Sequence, residues 1–468
     1  MLLKCDKTIP ERKKHIVIKG ENGCGGDSSG CEIACNVPTT PGDMTERGCT
    51  YAGCRGVVGG PVKDVIHMTH GPIGCAYYSW GYRPHLADSD FHMKYIFVSD
   101  IDESNIIFGG EKKLLQSIIE ASKEFPEAKG VFVYNTCPTA LIGDDGKYIA
   151  KAAQEKIGKP VVFFPCEGFR GVSQSQGHHV GNMTIFDTLV GSVEPEEDYA
   201  YSINIVGDYN IKNDEKTFEH LFEDMGVNII TRFTGNVSID DLKIMHKAQL
   251  NVVHCQRSAT YIADMMREKY NTPSINVTLW GINNMSNALR DVAKFFGLEK
   301  EAERIINTET AKIKPKIEYY KKRLEGKTVF IYQGAPRAWH WPDLMRELGM
   351  EVVVAATTFG HEDDYDKIFK KVKKGTLVID NPNAMELEEI IETYKPDLFI
   401  SGNKEKYLSY KLGISFVNGH TYETGPYAGY SGMVNFARDI DRAINTPVWE
   451  MLREKAWPVK NNSNPEVV

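Results

Sequence analysis

Three cysteines, Cys49, Cys75 and Cys137, each stand where a hydrophobic segment breaks into a turn marked by glycine or proline. None of them belongs to a Cys-x-x-Cys pair, so no single loop can wrap a metal ion by itself. Thiolates held on three separate loops suit a large iron–sulfur cluster, which a second chain could share. This spacing therefore indicates a redox protein.

Cys255 and His420 form a second pair of residues with metal-binding side chains. Each follows a predicted strand, which ends at Val253 and at Val417 respectively, and the two strands belong to different predicted domains. Both side chains could therefore point into one cleft. For either residue alone, a buried cysteine or a hydrogen-bonded histidine is the commoner outcome. The presence of three further candidate thiolates favours metal binding for both.

The segment from Gly171 to His179 combines glycine, serine and glutamine with two adjacent histidines, and we predict a loop there. Its side chains offer hydrogen-bond donors and groups that titrate near neutral pH. They could deliver protons to a bound substrate or could cap the next helix.

Three cationic residues follow turn-like segments: Arg83, Arg337 and Lys404. Cations on the loops at strand ends suit an anionic cluster or an organic acid. An exposed arginine or lysine is more often a solvated surface group, so each of the three is a weak signal by itself.

The chain has ten cysteines, and a cytoplasmic protein keeps its thiols reduced. We therefore expect no disulfide framework. Six cysteines have no site assignment and are expected to be small buried hydrophobes or loop residues; they are Cys5, Cys24, Cys31, Cys35, Cys54 and Cys166. The spacing of those in and after the Gly/Ser-rich stretch 20–30 matches no standard metal site.

Composition and charge exclude several classes of function. The chain is 42% hydrophobic and 25% charged, with a net charge of −8 and both signs mixed along its length. No basic stripe indicates nucleic-acid binding, and no apolar run is long enough for a membrane span. We expect a cytoplasmic protein. Neither a phosphate-binding glycine loop nor a hydrolase nucleophile elbow is present.

Short β-branched runs alternate with amphipathic helical stretches along the 468 residues, which predicts an α/β fold with parallel sheets. We expect three doubly wound, Rossmann-like domains with a cofactor cleft between them. The predicted organisation is an N-terminal arm (1–44), a domain with the first three thiols and the His178 loop (45–200), a domain with Cys255 (201–325), and a domain with Arg337, Lys404 and His420 (326–468).

Several motifs occur in the order of one known family, and the chain strongly resembles the α subunit of the nitrogenase catalytic component over essentially its whole length. The motifs that carry the resemblance are Arg47–Gly53, His70–Cys75, Ile107–Lys112, Cys137–Asp145, Cys166–His179 and Gly425–Gly429. The resemblance implies that Cys49, Cys75 and Cys137 supply the α-side thiolates of the P-cluster, the iron–sulfur cluster that the α and β subunits share.

The same resemblance implies roles at the active-site cofactor, an iron–sulfur cluster with molybdenum, vanadium or iron as its apical metal. Cys255 would bind its terminal iron and His420 its apical metal. Val57 would lie over the reactive iron face. Gln174 and His178 would lie beside it, with His178 as the proton relay.

Cationic side chains complete the implied cofactor site. Arg83 and Arg337 would balance the negative charge of the cofactor, and Lys404 would face homocitrate. Because two protein ligands cannot hold so large a cluster alone, packing and hydrogen bonds must contribute.

The resemblance also implies partners and a reaction. The chain would pair with a β subunit in an α2β2 core, with an additional small subunit in some forms. Electrons would come from a separate ATP-hydrolysing iron protein, which agrees with the missing phosphate loop. They would pass through the P-cluster to the cofactor, where dinitrogen and protons are reduced. The implied enzyme is an oxidoreductase.

The motifs leave the apical metal open. The segment Gln333–His340 resembles the vanadium form, with Ala335 and Ala338 where bulkier residues or glycine are usual, and the stretch Val417–His420 resembles the alternative nitrogenases. Arg83 and the segment Cys166–His179 resemble the molybdenum form.

Three alternative functions stay open on the sequence. A nitrogenase-like reductase that cleaves carbon–sulfur bonds, such as methylthio-alkane reductase, could keep the ligands in a changed pocket. A non-catalytic scaffold for cofactor assembly shares the fold, but such scaffolds generally lack the cofactor-binding histidine, so His420 argues against it. A metal-free α/β binding protein would make five well-placed ligand residues a coincidence.

Overall fold

The computed structural model describes residues 14–20, 33–34, 48–81, 94–171, 173–196, 199–358, 360–449 and 451. In this part of the chain, no helix combines the length and the apolar character needed to cross a membrane. Arg83, Cys5, Cys24, Cys31 and Cys35 lie outside the described residues.

Short strands recur along the described residues. In chain order they are β1 (Ile16–Ile18), β2 (Val65–His70), β3 (Ile96–Val98), β4 (Gly130–Asn135), β5 (Val161–Phe164), β6 (Ser202–Val206), β7 (Asn228–Phe233), β8 (Leu250–Val253), β9 (Ser274–Asn276), β10 (Thr328–Gln333), β11 (Glu351–Thr357), β12 (Leu377–Asp380), β13 (Leu398–Ser401) and β14 (Ser415–Asn418).

Helices separate most of these strands. They are a π-helix (Ala52–Gly59) and the α-helices α1 (Ile73–Gly81), α2 (Glu103–Phe108), α3 (Glu111–Glu124), α4 (Cys137–Leu141), α5 (Gly146–Ile157), α6 (Gln174–Thr188), α7 (Glu219–Glu223), α8 (Ile239–Ile244), α9 (Thr260–Tyr270), α10 (Ile282–Phe296), α11 (Glu299–Leu324), α12 (Ala335–Glu347), α13 (Glu362–Lys371), α14 (Ala384–Tyr394), α15 (Lys406–Leu412) and α16 (Gly429–Asn445).

The strands form three sheets, with the orders β3-β2-β4-β5, β7-β6-β8-β9 and β1-β12-β11-β10-β13-β14. Every pairing between these strands is parallel except that of β1 with β12. Parallel strands need a crossover between them, and the intervening helices supply it. The predicted α/β class with parallel sheets is confirmed.

The described residues divide into two compact units. The six-strand unit comprises Met1–Cys35, Lys316–Glu423 and Phe436–Val468. It holds the sheet of β1 and β10 to β14. The two-sheet unit comprises Asn36–Pro315 and Thr424–Asn435. It holds the two four-stranded sheets.

Strand β2 is absent from the runs that the sequence predicts as strands, because polar residues interrupt its apolar pattern. His67 is 1% exposed, and its imidazole is hydrogen-bonded at Nδ1 to the Tyr134 hydroxyl (3.0 Å) and at Nε2 to the Val62 carbonyl oxygen (2.8 Å). Buried polar groups are tolerated when they are hydrogen-bonded. A central strand with a polar sequence therefore lies in this core.

Candidate functional site

The three thiols of the first motif set come from three elements of the two-sheet unit. Cys49 directly precedes the π-helix, and its carbonyl oxygen accepts a hydrogen bond from Gly53 N at 3.1 Å. Cys75 lies in the first turn of α1, and Cys137 is the first residue of α4. All three cysteines are partly buried. Cys75 and Cys137 therefore follow the hydrophobic strands β2 and β4, as predicted, but each lies in the first turn of a helix, and the residues before Gly48 lie outside the described part of the chain.

Two threonines tie the turn of Cys137 to the turn of Cys75. The hydroxyls of Thr136 and Thr139 both donate to the carbonyl oxygen of His70, at 2.7 and 3.0 Å. His70 ends β2, the strand that pairs with β4 and leads to the Cys75 helix. Because the two strands are parallel neighbours, both thiols lie at the same edge of the sheet.

Gly168 shows how closely two of the thiols approach the same backbone. A Cβ atom at this position would lie 2.9 Å from Cys137 Sγ and 3.4 Å from Cys49 Sγ. A side chain at this position would therefore displace a thiol. Burial raises the pKa of Cys49, with a contribution from Cys137. Burial likewise raises the pKa of Cys75 to about 11, with contributions from both other thiols.

These thiols fit a cluster of several metal atoms better than a single ion. They lie close enough to affect one another's pKa, yet among the described residues no three His, Cys, Asp or Glu side chains are arranged to hold one metal ion. A thiol with a pKa of about 11 is protonated at neutral pH, so metal binding must displace its proton. The donor set, three soft sulfurs from three elements, suits iron and sulfide.

Cys255 lies just after strand β8 and is 8% exposed. The hydroxyl of Ser258 donates a hydrogen bond to Cys255 Sγ at 2.9 Å. Gly207, with a φ of +88°, follows the neighbouring strand β6, and a Cβ there would lie 2.7 Å from the Cys255 backbone nitrogen. The two strand-end loops are thus in close contact at the carboxyl edge of the sheet, where α/β proteins place ligands.

The predicted loop around the two histidines is wrong from Gln174 onward, because α6 begins there. Ser173 caps the helix by accepting a hydrogen bond from Ser175 N at 3.3 Å. Gly177 does not break the helix. A Cβ at Gly177 would lie 2.0 Å from the Thr50 carbonyl oxygen and 2.5 Å from Cys54 N, so this glycine allows α6 to pack against the π-helix.

The contact of these two helices brings together three of the predicted cofactor residues. Val57 lies on the π-helix, whereas Gln174 and His178 lie on α6. A Cβ at Gly53 would lie 2.0 Å from the Gln174 carbonyl oxygen, which shows that the backbones are in direct contact. His178 is 3% exposed.

Asn182 joins α6 to the loop of Cys255, and nothing in the sequence indicated this role. Its side chain is fully buried, and Nδ2 donates to the carbonyl oxygens of His178 (2.6 Å) and Ser258 (2.8 Å). His178 and Cys255 therefore belong to one hydrogen-bonded assembly in the two-sheet unit.

The six-strand unit brings Arg337 and His420 together. Arg337 lies on α12 and is 9% exposed, and its Nη1 donates to the His420 carbonyl oxygen at 3.3 Å. Its guanidinium also lies 5.6 Å from the centre of the Tyr422 ring. His420 follows β14 and its side chain is exposed, while its backbone nitrogen donates to Asn418 Oδ1 at 3.0 Å.

Lys404 follows β13, the strand that pairs with β14, and is exposed. A Cβ at Gly402, two residues earlier, would lie 3.8 Å from His420 Nδ1. Lys404 and His420 therefore occupy the same edge of the sheet, at the carboxyl ends of adjacent parallel strands.

Two cysteines without a predicted site are buried, as expected. Cys54 and Cys166 are fully buried in the apolar core of the two-sheet unit. The Cys166 thiol donates to the Asn135 carbonyl oxygen at 3.5 Å and is hydrogen-bonded to Cys54, and burial holds its pKa well above the usual range.

The helices that carry Cys75 and Cys137 expose large apolar side chains, which the sequence reasoning missed. On α1, Ile73 is 65% exposed and Tyr77 is 67% exposed, and on α4, Leu141 is 75% exposed. Apolar side chains clustered on an exposed surface are typical of protein–protein contacts.

Comparisons with known proteins agree on one family. Residues 49–445 match the family described as nitrogenase component 1 type oxidoreductase. The chain is 48% identical to the nitrogenase molybdenum-iron protein alpha chain of Methanothermococcus thermolithotrophicus, over 98% of each chain. It is 43% identical to the nitrogenase iron-iron protein alpha chain of Rhodobacter capsulatus, over 95% of this chain and 85% of that one.

A third relative and a solved structure extend the comparison. The chain is 40% identical to the nitrogenase iron-molybdenum cofactor biosynthesis protein NifE of Methanococcus maripaludis, over 97% of this chain and 93% of that one. The structure described as nitrogenase Cp1 at pH 5 superposes with a TM-score of 0.87 at 37% identity, covering 95% of this chain and 97% of that one.

Proposed function

Because the chain belongs to the nitrogenase component 1 type oxidoreductases, we propose that it reduces dinitrogen to ammonia, and protons to dihydrogen, as the α subunit of the catalytic component. The chain is an oxidoreductase, and its predicted resemblance to the α subunit of the nitrogenase catalytic component is confirmed. The observation that best supports the proposed reaction is the approach of three thiols from three elements, two of them facing Gly168.

We assign Cys49, Cys75 and Cys137 to the α-side half of a P-cluster. When bound, this iron–sulfur cluster would store electrons and pass them on. Three thiolates are too few for the whole cluster, so a β subunit must supply the rest. The exposed apolar side chains of Ile73 and Tyr77 on α1 support a protein partner beside Cys75.

Cys255 and His420 are the proposed metal ligands of the active-site cofactor, Cys255 for a terminal iron and His420 for the apical metal. When bound, this cofactor would supply the metal sites at which substrate is reduced. The Ser258 hydroxyl, 2.9 Å from Cys255 Sγ, would stabilise the thiolate form of that ligand.

The remaining predicted residues surround the cofactor in this proposal. His178, held on a helix and 3% exposed, would carry a proton on its imidazole. Gln174 would position substrate by hydrogen bonding, and Val57 would restrict access to the reactive face. Arg337 and Lys404 would attract an anionic cofactor and its homocitrate, and Arg83 keeps the same proposed role.

The source of electrons in this proposal is a separate iron protein that hydrolyses ATP. This source agrees with the sequence, which has no phosphate-binding glycine loop of its own. The apical metal is left open, because relatives described as molybdenum-iron and as iron-iron proteins both match over nearly the whole chain.

The NifE relative makes a cofactor-assembly scaffold the second candidate function. A scaffold needs no ligand for the apical metal, so the presence of His420 favours catalysis. The carbon–sulfur reductase is a third candidate, which an assay with a methylthio-alcohol distinguishes from the other two.

The test is purification of the chain with its β partner, followed by analysis for iron, sulfide, molybdenum and vanadium, and by assays with dinitrogen, acetylene and a methylthio-alcohol. We expect iron and sulfide, and reduction of dinitrogen and acetylene that His420→Ala abolishes. If the chain supports the maturation of a partner protein but reduces none of the substrates, it is a scaffold. Turnover of the sulfur substrate alone would overturn the nitrogenase assignment, and absence of iron and sulfide would overturn every cluster role.

A further inference from the structure

We propose that Asn182 is a positioning residue that holds the His178 imidazole in a fixed place relative to Cys255; this inference rests on the proposed function. His178 lies on α6 and Cys255 lies after β8, two elements far apart in the sequence. A proton carrier and a metal ligand can act on one substrate only if their separation is fixed.

The hydrogen bonds of the Asn182 carboxamide connect the two elements directly. Its Nδ2 donates to the His178 carbonyl oxygen at 2.6 Å and to the Ser258 carbonyl oxygen at 2.8 Å. The Ser258 hydroxyl in turn donates to Cys255 Sγ at 2.9 Å. The buried Asn182 side chain therefore links the backbone of His178 to Ser258, the residue that contacts Cys255 Sγ.

A ring contact between α6 and the segment after Cys255 is less directional. The rings of His179 and Tyr261 meet edge to face at a centroid distance of 4.7 Å. Such a contact tolerates sliding, whereas two hydrogen bonds from one rigid amide fix both the distance and the orientation of their acceptors. The amide therefore fixes the register between the two segments more strictly than this ring contact does.

The other end of the same side chain carries a cost in stability. Asn182 Oδ1 is buried and has no hydrogen-bond partner, which is unfavourable in a protein interior. Asparagine is also a poor helix former, and Asn182 lies within α6. The buried Oδ1 of Asn204 also lacks a partner among the described residues, so Asn182 differs from Asn204 in the residues that its Nδ2 binds and not in this cost.

The experiment compares Asn182→Leu with a matched control in the full complex with the β partner. Leucine has a similar size and no amide. The control is Asn204→Leu, since Asn204 is also fully buried in the two-sheet unit and its Nδ2 donates to Met245 O (3.0 Å) and Asn251 Oδ1 (2.8 Å). Neither partner of Asn204 has a proposed role at the site.

A second variant, Asn182→Ser, tests the hydrogen bond to Ser258 separately from the one to His178. A serine hydroxyl in a helix can donate to the carbonyl oxygen four residues earlier, which is that of His178, but it is too short to hold Ser258 as well. Because serine is smaller than leucine and fits the same space, Asn182→Ser keeps the inference testable if Asn182→Leu does not fold.

We expect both Asn182 variants to keep wild-type iron content and to lower the kcat for acetylene about tenfold, because misplacing a reacting group costs rate rather than binding. The ⁵⁷Fe Mössbauer spectrum of the cofactor and the pH profile of acetylene reduction should change in both. Asn204→Leu should lower the thermal unfolding midpoint and change neither readout.

Two outcomes distinguish this inference from the function on which it rests. The positioning role would be overturned if the Asn182 variants kept the wild-type spectrum, pH profile and kcat. It would also be overturned if Asn204→Leu showed the same changes as the Asn182 variants. Neither result would affect the nitrogenase assignment. A wild-type complex without iron or reductase activity would instead overturn the proposed function, and the inference with it.

Discussion

The backbone of Gly168 lies against the thiol of Cys137 so closely that a Cβ at position 168 would be 2.9 Å from the sulfur. The same atom would be 3.4 Å from Cys49 Sγ. A contact this short cannot be relieved without moving a thiol. The glycine therefore determines how closely the two proposed cluster ligands approach the main chain.

Replacing Gly168 with alanine should displace Cys137 and lower the iron content of the purified complex. The physical reason is steric, because the added methyl group occupies the space of a ligand sulfur. Iron per complex is the measurement. The matched control is Gly334→Ala, since a Cβ at Gly334 meets no atom within 4 Å. Equal iron in both variants would contradict the prediction.

Cys137→Ser should remove iron, whereas Cys166→Ser should not. Both cysteines belong to the two-sheet unit, but only Cys137 faces Gly168 together with Cys49. The Cys166 thiol donates to the Asn135 carbonyl oxygen, and a serine hydroxyl can replace that bond. Iron and sulfide analysis of both variants is the check, and the assignment of Cys137 fails if the two lose iron equally.

Gly177→Ala should destabilise the contact between α6 and the π-helix by about 1–3 kcal/mol, the usual cost of overpacking a core. The added methyl group would meet backbone atoms, Thr50 O at 2.0 Å and Cys54 N at 2.5 Å, and these cannot rotate away. At Gly181 the nearest atom is Val58 Cβ at 2.8 Å, a smaller overlap than the 2.0 Å at Gly177. Thermal unfolding midpoints should therefore fall further for Gly177→Ala than for Gly181→Ala, and the reverse order would refute this account.

Glu215→Gln should stabilise the complex increasingly as the pH rises. Burial, with a contribution from the carboxylate of Asp208, holds the pKa of Glu215 well above its ordinary value of 4.5. The folded state thus favours the protonated acid. The stability from this group is fully present below about pH 4.5 and is lost as the pH rises through the folded pKa.

Glutamine cannot ionise, and its oxygen can still accept the hydrogen bond that Asn236 N donates to Glu215 Oε1 at 2.8 Å. The measurement is the thermal unfolding midpoint of the variant minus that of wild type between pH 5 and 8. Glu318→Gln, an exposed change on α11, controls for net charge. A difference that stays constant across this range for Glu215→Gln would show that the carboxyl group does not carry the effect.

Regular elements with a clear hydrophobic period could be predicted from the sequence, and those with polar interiors could not. Strand β8 ends at Val253, where the sequence predicts the end of a strand. Strand β2 was missed because its buried His67 is hydrogen-bonded to Tyr134, a residue distant in the sequence. The domain boundaries after residues 44, 200 and 325 stay predictions.

The sequence by itself determined the types of ligand and the fold class. Thiols at turns and a histidine after a strand are local features, and alternating strands and helices are periodic ones, so both can be read along the chain. Only the tertiary structure decided which of these groups meet. Gly168 faces Cys49 and Cys137, and Asn182 binds His178 and Ser258, because packing of distant segments sets those distances. No local pattern encodes a contact whose two sides fold from separate parts of the chain.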